Sequence, residues 1–405
     1  MANLKSNRQK NTITGLCCSA HFVQDGLSST IYVLLPILAQ AFGLSYAQVG
    51  LIKAAHTSSM MILELPSGIL SEKFGIRSLL AFGLACAGLG FVYLSYANSI
   101  GIIALSLVLA GIGAAFQHAI ASSLISSTHS SRGRRSALGI YNSSGDGGKL
   151  AFTGLFGLAL GFGLSWQNIV AGYGLIAILT GGVIFIVLRK FSAGNPPENR
   201  SSVEPKAVSI WMDWGISNRS AFSALIAAIF LDTAVQSGFF IFVTFLVAER
   251  NVPTNLAVLA IVATLAGGMF GKAGCGYLAA SLGVKYAFAL VQCATAAVIC
   301  IILVTPPQVI FLLLPVLGVF LQGSTSITYG AVNDYVREER KSRGFALIYS
   351  LTGLSAIAGP VGFGLIGDYF GLDITMLAMA AVSLLAIVPC IWLHSGEPQT
   401  DLELN

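Results

Sequence analysis

The chain alternates between long apolar runs and short polar interruptions along its whole length. A helix needs about 20 apolar residues to cross the hydrocarbon core of a bilayer. Twelve runs have about that length or more, at residues 13–40, 48–71, 76–97, 99–127, 135–162, 165–189, 219–248, 254–280, 284–305, 307–334, 342–370 and 372–394. The pattern therefore predicts an all-α membrane protein with twelve transmembrane helices.

Composition supports the same class of protein. The chain is 55% hydrophobic and 10% charged, with a mean hydropathy of +0.80, whereas soluble domains are about 25% charged. The seven cysteines lie inside apolar runs without the spacing of a metal site. We interpret them as small hydrophobic residues, and we expect neither a disulfide framework nor a metal or other cofactor.

The basic residues indicate the orientation in the membrane. Eighteen of the 22 Lys and Arg fall in the chain termini or in alternate loops, and only Arg250 lies in a loop of the opposite set. Cytoplasmic loops are enriched in Lys and Arg, so both termini are expected in the cytoplasm, and the bacterial inner membrane is the expected location. The net charge of +5 belongs to that face and does not indicate nucleic-acid binding.

The second half of the chain repeats the first at a constant spacing of 208 residues. The matched pairs are Gly68 with Gly276, Leu70 with Leu278, Gly75 with Gly283, Arg77 with Lys285, Arg135 with Arg343, Tyr141 with Tyr349, Gly145 with Gly353 and Gly154 with Gly362. Such repeats are typical of secondary transporters. The sequence predicts an N-terminal six-helix half over 1–190, a polar cytoplasmic linker over 191–218 and a C-terminal six-helix half over 219–405.

The loop between the second and third apolar runs carries a recognisable motif. It reads Gly68-x-Leu70-x-Glu72-Lys73-x-Gly75-x-Arg77, and a weaker copy at 276–285 lacks the acid. This pattern closely resembles the signature loop between helices 2 and 3 of the major facilitator superfamily, with Glu72 in place of the usual aspartate. The resemblance implies two six-helix halves with pseudo-twofold symmetry that rock about a central site.

The same resemblance identifies candidate gating residues. They are Gly68, Glu72, Gly75 and Arg77 in the loop, and Gly359 and Pro360 in the eleventh apolar run. A glycine followed by a proline can bend a transmembrane helix while neighbouring helices satisfy its backbone groups.

The fourth apolar run carries a second, less complete resemblance. Gly111-x-Gly113-Ala-Ala is similar to the superfamily's helix 4 motif, but Leu107 occupies the position where that motif has an arginine. The segment from Phe116 to Ser123 resembles a Phe-x-His-Pro segment of fosmidomycin-resistance-type efflux proteins, with the histidine shifted and the proline absent. This likeness favours export over uptake.

Four ionisable residues within apolar runs are candidates for proton coupling: Asp25, Asp232, Glu64 and His21. A charge in hydrocarbon is costly unless it is paired or faces water, so such residues usually have a function. The structural alternative is a carboxylate that only holds a neighbouring helix in place.

A third set of residues is expected to bind the solute: Lys149, Asp146, His118, Gln117, Gln236, Gln322, Tyr329 and Lys272. Asp146 and Lys149 lie one turn apart and can neutralise each other, so a purely structural pair is the alternative. The lysines within apolar runs suggest a solute with an anionic group. Lys53 is a further one, although it could extend toward the outer membrane surface instead.

These observations predict a monomeric secondary transporter whose partners are protons, a small solute and membrane lipid. We expect proton-coupled antiport that exports a small polar or anionic compound, with proton-coupled uptake of a small organic anion as the alternative. No Walker A, H-E-x-x-H or G-x-S-x-G sequence occurs, which argues against an ATP-driven pump and a membrane hydrolase. A facilitative channel or a signalling protein on the same fold is the remaining alternative.

Overall fold

The computed structural model is almost entirely helical and describes residues 2–129, 131–196, 216–337 and 341–393. The α-helices of this part of the chain are α1 Ala2–Phe42, α2 Tyr46–Phe74, α3 Ile76–Leu94, α4 Ile100–Ala115, α5 His118–Thr128, α6 Ser131–Gly161, α7 Trp166–Lys190, α8 Arg219–Glu249, α9 Thr254–Leu282, α10 Val284–Val304, α11 Pro307–Tyr335, α12 Lys341–Phe370 and α13 Leu372–Leu385, followed by a 3-10 helix at Val388–Trp392.

Within the described residues, ten helical segments are long and apolar enough to cross a membrane. The two other predicted spans correspond to α2 and α6, which are 29 and 31 residues long. Both are long enough, but they carry many of the polar and charged residues discussed above. The all-helical membrane fold is therefore confirmed, whereas the count of twelve spans still rests on the sequence pattern.

Backbone packing divides the chain into two compact units. Unit 1 comprises Met1–Leu44 and Ile52–Val203, and unit 2 comprises Ser45–Leu51 and Glu204–Asn405. Most of the predicted linker at 191–218 lies outside the described residues. The domain boundaries predicted from the sequence therefore stay a prediction.

The backbone carries the same 208-residue repeat as the sequence. Three pairs of residues have matching positive φ angles: Gly43 (62°) with Asn251 (63°), Gly75 (81°) with Gly283 (77°), and Gly163 (82°) with Gly371 (83°). Each pair lies at the end of equivalent helices in the two units. The two units thus share these three turns at equivalent positions.

Gly75 is the turn residue between α2 and α3, and two features require glycine there. Its φ of +81° is unfavourable for residues with a Cβ atom. A Cβ at this position would also lie 2.8 Å from the carbonyl oxygen of Gly194 and 2.9 Å from Cδ of Pro196. The gating residue predicted here therefore also fixes the chain reversal.

Replacing Gly75 by alanine is expected to destabilise unit 1 by about 2 kcal/mol or more, since strained backbone alone costs roughly 1–3 kcal/mol. Gly43→Ala is the matched control, because Gly43 has a φ of +62° but a Cβ added there would meet no atom within 4 Å. Thermal unfolding in detergent compares the two variants. Equal melting temperatures would show that close packing against Gly194 and Pro196 does not contribute to the loss of stability.

The fourth predicted helix is interrupted, which corrects the expectation of one helix over 99–127. The break falls between α4 and α5, where Phe116 and Gln117 leave the regular helical conformation. Neither residue is proline or glycine, so the sequence contains no local signal for it. The break occurs next to close packing of α4 on α3, where Gly113 lies against Gly83.

The glycines of α6 bring this helix close to α1. A Cβ at Gly148 would lie 2.0 Å from the carbonyl oxygen of Phe22, and a Cβ at Gly145 would lie 2.5 Å from Nε2 of His21. The helix itself runs without interruption through Ser131–Gly161. These glycines therefore allow close contact between α1 and α6 without interrupting α6.

Candidate substrate and proton site

Five ionisable side chains from three helices meet inside unit 1, and we call them the Asp25 cluster. Oδ2 of Asp25 lies 3.1 Å from Nζ of Lys149 and 3.3 Å from Nε2 of His21, and its Oδ1 lies 3.6 Å from Nε2 of His118. Lys149 also contacts Oδ1 of Asp146 at 3.1 Å. The sequence placed these residues in two separate sets, for protons and for solute, and the structure brings them together.

The Asp25 cluster has an excess of negative charge when both histidines are neutral. Two carboxylates, of Asp25 and Asp146, face one ammonium group, of Lys149, which leaves a formal charge of −1. A charge in hydrocarbon is costly unless it is paired or faces water. One proton taken up by the cluster removes that charge, so the arrangement is suited to bind a single proton.

His21 indicates where such a proton can reside. Its Nδ1 lies 2.8 Å from the backbone carbonyl oxygen of Tyr141. Because a carbonyl oxygen only accepts hydrogen bonds, Nδ1 must carry a hydrogen and donate it. The Nε2 atom of a neutral His21 therefore presents a lone pair to Asp25. A hydrogen bond between the two side chains then requires one additional proton, on either the imidazole or the carboxyl group.

The Asp25 cluster is only partly closed. The side chain of Asp25 retains 9% of its accessible surface, whereas those of Lys149 and His118 retain 29% and 41%. The carboxylate is thus enclosed, while the two basic groups present one side to open space. Lys149 and His118 are therefore the more accessible groups of the cluster.

His21, Asp25 and His118 also have the composition of a metal site, since one ligand atom from each lies within 4.8 Å of the others. The ammonium group of Lys149 lies 3.1 Å from Asp25, however. It supplies the positive charge that a metal ion would bring and would repel such an ion. The residues present therefore fit a proton better than a metal.

The break in the fourth span lies beside this cluster. Gln117 precedes α5 and is 2% exposed, and both atoms of its side-chain amide lack a hydrogen-bond partner within the described residues. The hydroxyl group of Tyr141 is buried beside Gln117 and Ser122, without a hydrogen bond of regular geometry to a described residue. Buried polar atoms without partners are rare in folded proteins. The predicted role of Gln117 in solute binding stays a prediction.

A second buried acid forms a network of hydrogen bonds in unit 2, which we call the Asp232 network. The carboxylate accepts hydrogen bonds from Gln292 Nε2 at 2.6 Å, Ser324 Oγ at 2.8 Å and Gln236 Nε2 at 2.8 Å. Ser383 Oγ in turn donates to Oε1 of Gln292 at 2.7 Å. These residues come from α8, α10, α11 and α13, so the network links four helices.

Neutral groups alone surround the carboxylate of the Asp232 network. Among the residues that the structure describes, no lysine, arginine or histidine lies within 4.0 Å of Asp232. Asp232 is 3% exposed, so hydrogen-bond donors without charge have to stabilise the ionised form. This acid therefore also fits a group that gains and loses a proton.

Four other predicted site residues are not members of the Asp25 cluster or the Asp232 network as defined above. Glu64 is half-buried in α2 and forms no ion pair with a described residue, and Lys272 is half-buried in α9. Gln322 packs against Gly268 of α9, and Tyr329 is half-buried in α11. Their predicted roles stay predictions.

The predicted gating residues differ in their surroundings. Gly68 is exposed, with open space at its Cβ position, whereas a Cβ at Gly359 would lie 2.7 Å from Cα of Ala234 in α8. Pro360 lies inside α12, which is continuous. The side chain of Glu72 lies outside the described part of the chain.

Arg77 begins α3 and is held at several points. Its backbone N–H donates to the carbonyl of Gly194, and its guanidinium group lies 5.3 Å from the ring centre of Phe185. The Nε atom is buried and has no hydrogen-bond partner among the described residues. A guanidinium group with an unused donor is suited to bind a different partner in another conformation.

Replacing Arg77 by alanine is expected to slow transport about tenfold or more, the effect of losing one charged hydrogen bond in a second conformation. Solute affinity should stay within a few-fold, because Arg77 lies outside the Asp25 cluster. Initial transport rates and equilibrium binding on the same preparation separate the two quantities. A variant with normal turnover would contradict the gating role.

Sequence reasoning missed four of the residues that build these centres. Gln292, Ser324 and Ser383 belong to the Asp232 network, and the backbone carbonyl of Tyr141 fixes the His21 ring. The three side chains could have been noticed as polar residues within apolar runs. The role of Tyr141 has no signal in the sequence, because any residue supplies a carbonyl oxygen.

Two repeated sets of membrane helices, each enclosing buried ionisable groups, define a polytopic secondary transporter. The sequence profile of the Major Facilitator Superfamily matches residues 17–323 and 275–404. The chain therefore belongs to the Major Facilitator Superfamily, and it is a transporter rather than an enzyme. The family resemblance of the motif at 68–77 is confirmed, but the expectation of a loop there is corrected, because α2 continues to Phe74 and only Gly75 forms the turn before α3.

Individual relatives share low sequence identity with this chain. The Fosmidomycin resistance protein of Escherichia coli (strain K12) is 27% identical over 106 residues, a match that spans 26% of either chain. The Uncharacterized MFS-type transporter YfnC of Bacillus subtilis (strain 168) is 25% identical over 384 residues, covering 93% of this chain and 90% of that protein.

Solved structures share the fold at low sequence identity. A bacterial homolog of the human lysosomal transporter Spinster, in an inward-facing and occupied conformation, aligns with a TM-score of 0.77 at 16% identity, covering 93% of this chain and 95% of that one. The nucleoside transporter NupG aligns with a TM-score of 0.73 at 12% identity, covering 94% of this chain and 98% of that one.

Proposed function

We propose that this transporter is a proton-coupled antiporter that exports a small polar or anionic organic compound by alternating access. It works as a monomer in the cytoplasmic membrane of a bacterium, with both termini in the cytoplasm. The name of the Fosmidomycin resistance protein, one of its relatives, supports export. The excess of Lys and Arg in alternate loops supports the orientation.

The observation that carries the proposal is the geometry of Asp25. One enclosed carboxylate contacts a lysine and two histidines, and both Lys149 and His118 are partly accessible. A proton and a solute can therefore act on the same group. In the conformation without a proton, Asp25 accepts hydrogen bonds from polar groups of the solute. A proton on Asp25 removes the negative charge, which weakens these hydrogen bonds and favours release.

Proton-coupled uptake is the second candidate, and the position of Lys149 favours it for an anionic solute. Lys149 contacts the carboxylates of both Asp25 and Asp146. When Asp25 binds a proton, Lys149 loses one negative partner and attracts an anion more strongly. A proton and an anion would then bind together and move in the same direction.

Binding measured at several pH values distinguishes the two candidates. If proton and solute compete, as antiport requires, the affinity falls as the pH is lowered. If they bind together, as symport requires, the affinity rises as the pH is lowered. Titration calorimetry on the purified protein gives this sign, with fosmidomycin as the first probe and a panel of small polar and anionic compounds after it.

Flux measurements then test the proposal directly. In proteoliposomes that contain the purified protein, an imposed pH gradient should drive the bound compound against its own gradient, with proton movement in the opposite direction. Flux that does not respond to the pH gradient would show a facilitative carrier instead. Movement of proton and solute in the same direction would show symport and contradict antiport.

A further inference from the structure

Lys53 is a buried residue of unit 1 and differs from Lys149 in its surroundings. Its residue surface is 7% exposed, yet no carboxylate of a described residue lies within 4.0 Å of its Nζ atom. Lys149, by contrast, contacts two carboxylates. A buried ammonium group without a negative partner is costly. Lys53 is therefore a buried base that has no counter-charge in the described part of this unit.

The direction of the Lys53 side chain excludes the alternative that it extends to the outer surface. Its Nζ donates to Oγ1 of Thr57 at 3.1 Å, one turn further along α2. Long side chains in helices lean toward the helix N-terminus, and the N-terminus of α2, at Tyr46, is the nearer helix end. Lys53 points the opposite way, into the span.

The groups around Nζ leave hydrogen-bonding capacity for an anion. An ammonium group has three hydrogen-bond donors, and Thr57 accepts one of them. The ring of Tyr32 lies 5.0 Å from Nζ and stabilises the charge without accepting a conventional hydrogen bond. His56, three residues along α2, is 2% exposed, and its Nδ1 has no hydrogen-bond partner within the described residues.

We infer that Lys53, Thr57 and Tyr32 form a second subsite, which binds an anionic group of the transported solute such as a carboxylate or a phosphonate. The inference rests on the proposed function, because it names part of the solute. The anion supplies the negative partner that Lys53 lacks. It also accepts hydrogen bonds from the N–H groups of the ammonium group that do not bind Thr57.

The position of this subsite limits the length of the solute. Tyr32 and Asp25 lie seven residues apart on α1, which is two turns and therefore nearly the same face of the helix. At 1.5 Å per residue, they are about 10 Å apart along the helix axis. A solute that uses both sites carries an anionic group at one end and a polar group about 10 Å away.

Anion binding to the purified protein tests the inference without any gradient or transport. Methylphosphonate is the probe, added as its potassium salt at an ionic strength matched with potassium chloride, and the melting temperature in detergent is the readout. The wild-type protein should be stabilised by the probe. Lys53→Met should bind it at least tenfold more weakly, the loss expected for one charged hydrogen bond, whereas Lys53→Arg should retain binding.

Lys73→Met is the matched control, because Lys73 is an exposed lysine at the other end of the same helix, and it should respond as the wild type does. Lys53→Met should also melt at a higher temperature than the wild type when only chloride is present, since a buried charge has been removed. This second readout depends on neither the probe nor the transport activity.

Three results would overturn the inference: no stabilisation of the wild type by methylphosphonate, equal stabilisation of Lys53→Met, or stabilisation by vesicles of an anionic phospholipid in place of the probe. The last result would assign Lys53 to a lipid headgroup. A protein that binds methylphosphonate through Lys53 but shows no proton-driven flux would retain the anion subsite while the proposed function fails.

Discussion

Replacing Asp25 by asparagine is expected to abolish proton-driven accumulation of the solute while leaving folding and solute exchange in place. The amide preserves the shape of the side chain, and Lys149 keeps its contact with Asp146 at 3.1 Å. The charge of the Asp25 cluster then becomes zero without an added proton. A transporter whose site no longer gains a proton can exchange solute, but it has no coupling to the pH gradient.

Counterflow and pH-driven uptake in proteoliposomes measure these two activities separately. The solute concentrations on the two sides should become equal in the variant under a pH gradient, whereas counterflow should stay within a few-fold of the wild type. Asp373→Asn is the matched control, because Asp373 is exposed and pairs with Arg250, outside both the Asp25 cluster and the Asp232 network. It should accumulate solute normally.

Asp232→Asn decides between the two buried acids. If Asp25→Asn accumulates solute normally and Asp232→Asn does not, the proton is carried by the Asp232 network. If both variants accumulate solute normally, both acids are structural and proton coupling through them is wrong. The sequence predicted that at least one of these two residues carries the proton, and this pair of variants tests that prediction.

Much of the fold could be predicted from the sequence, because its signals are periodic and local. Long apolar runs predict the helices, and the 208-residue repeat is visible at Gly75 and Gly283, where the structure has matching backbone angles. The break before α5 could not be predicted in this way. Phe116 and Gln117 have no intrinsic preference for a helix end, so tertiary packing decides where the helix stops.

The candidate site was only partly predictable, for a different reason. Asp25 and Lys149 were each conspicuous as charges within apolar runs, but their contact depends on how α1 packs on α6. Gly145 and Gly148 were the available signal, since glycines in membrane helices commonly mark close packing. The hydrogen bonds of Asp232 depend in the same way on the packing of four helices, and no pattern within one helix indicates them.

Removing the charge of Lys149 is expected to be the most destabilising single change in the Asp25 cluster. In Lys149→Gln, the carboxylates of Asp25 and Asp146 both lose their positive partner. Leaving a buried charge unpaired costs roughly 3–5 kcal/mol. The double variant Asp146→Asn with Lys149→Gln recovers part of this loss, because Asp25 alone stays charged beside two histidines.

A triple variant separates stability from function. Asp25→Asn, Asp146→Asn and Lys149→Gln together leave no charged carboxylate or ammonium group in the cluster, so the protein should fold with close to wild-type stability. Transport should nevertheless fall at least tenfold, because the group that binds the solute is absent. A purely structural Asp146–Lys149 pair instead predicts that the double variant alone restores both stability and transport.

Thermal unfolding and initial uptake rates of the single, double and triple variants distinguish these outcomes. Lys190→Gln is the control, since it removes an exposed lysine from the end of α7 and should change neither quantity. We expect the double variant not to restore wild-type stability, because Lys149 also contacts Asp25. Asp25 lies on α1 and is therefore not part of a local pair within α6. A stable double or triple variant that transports at the wild-type rate would show that Lys149 has no part in binding the solute.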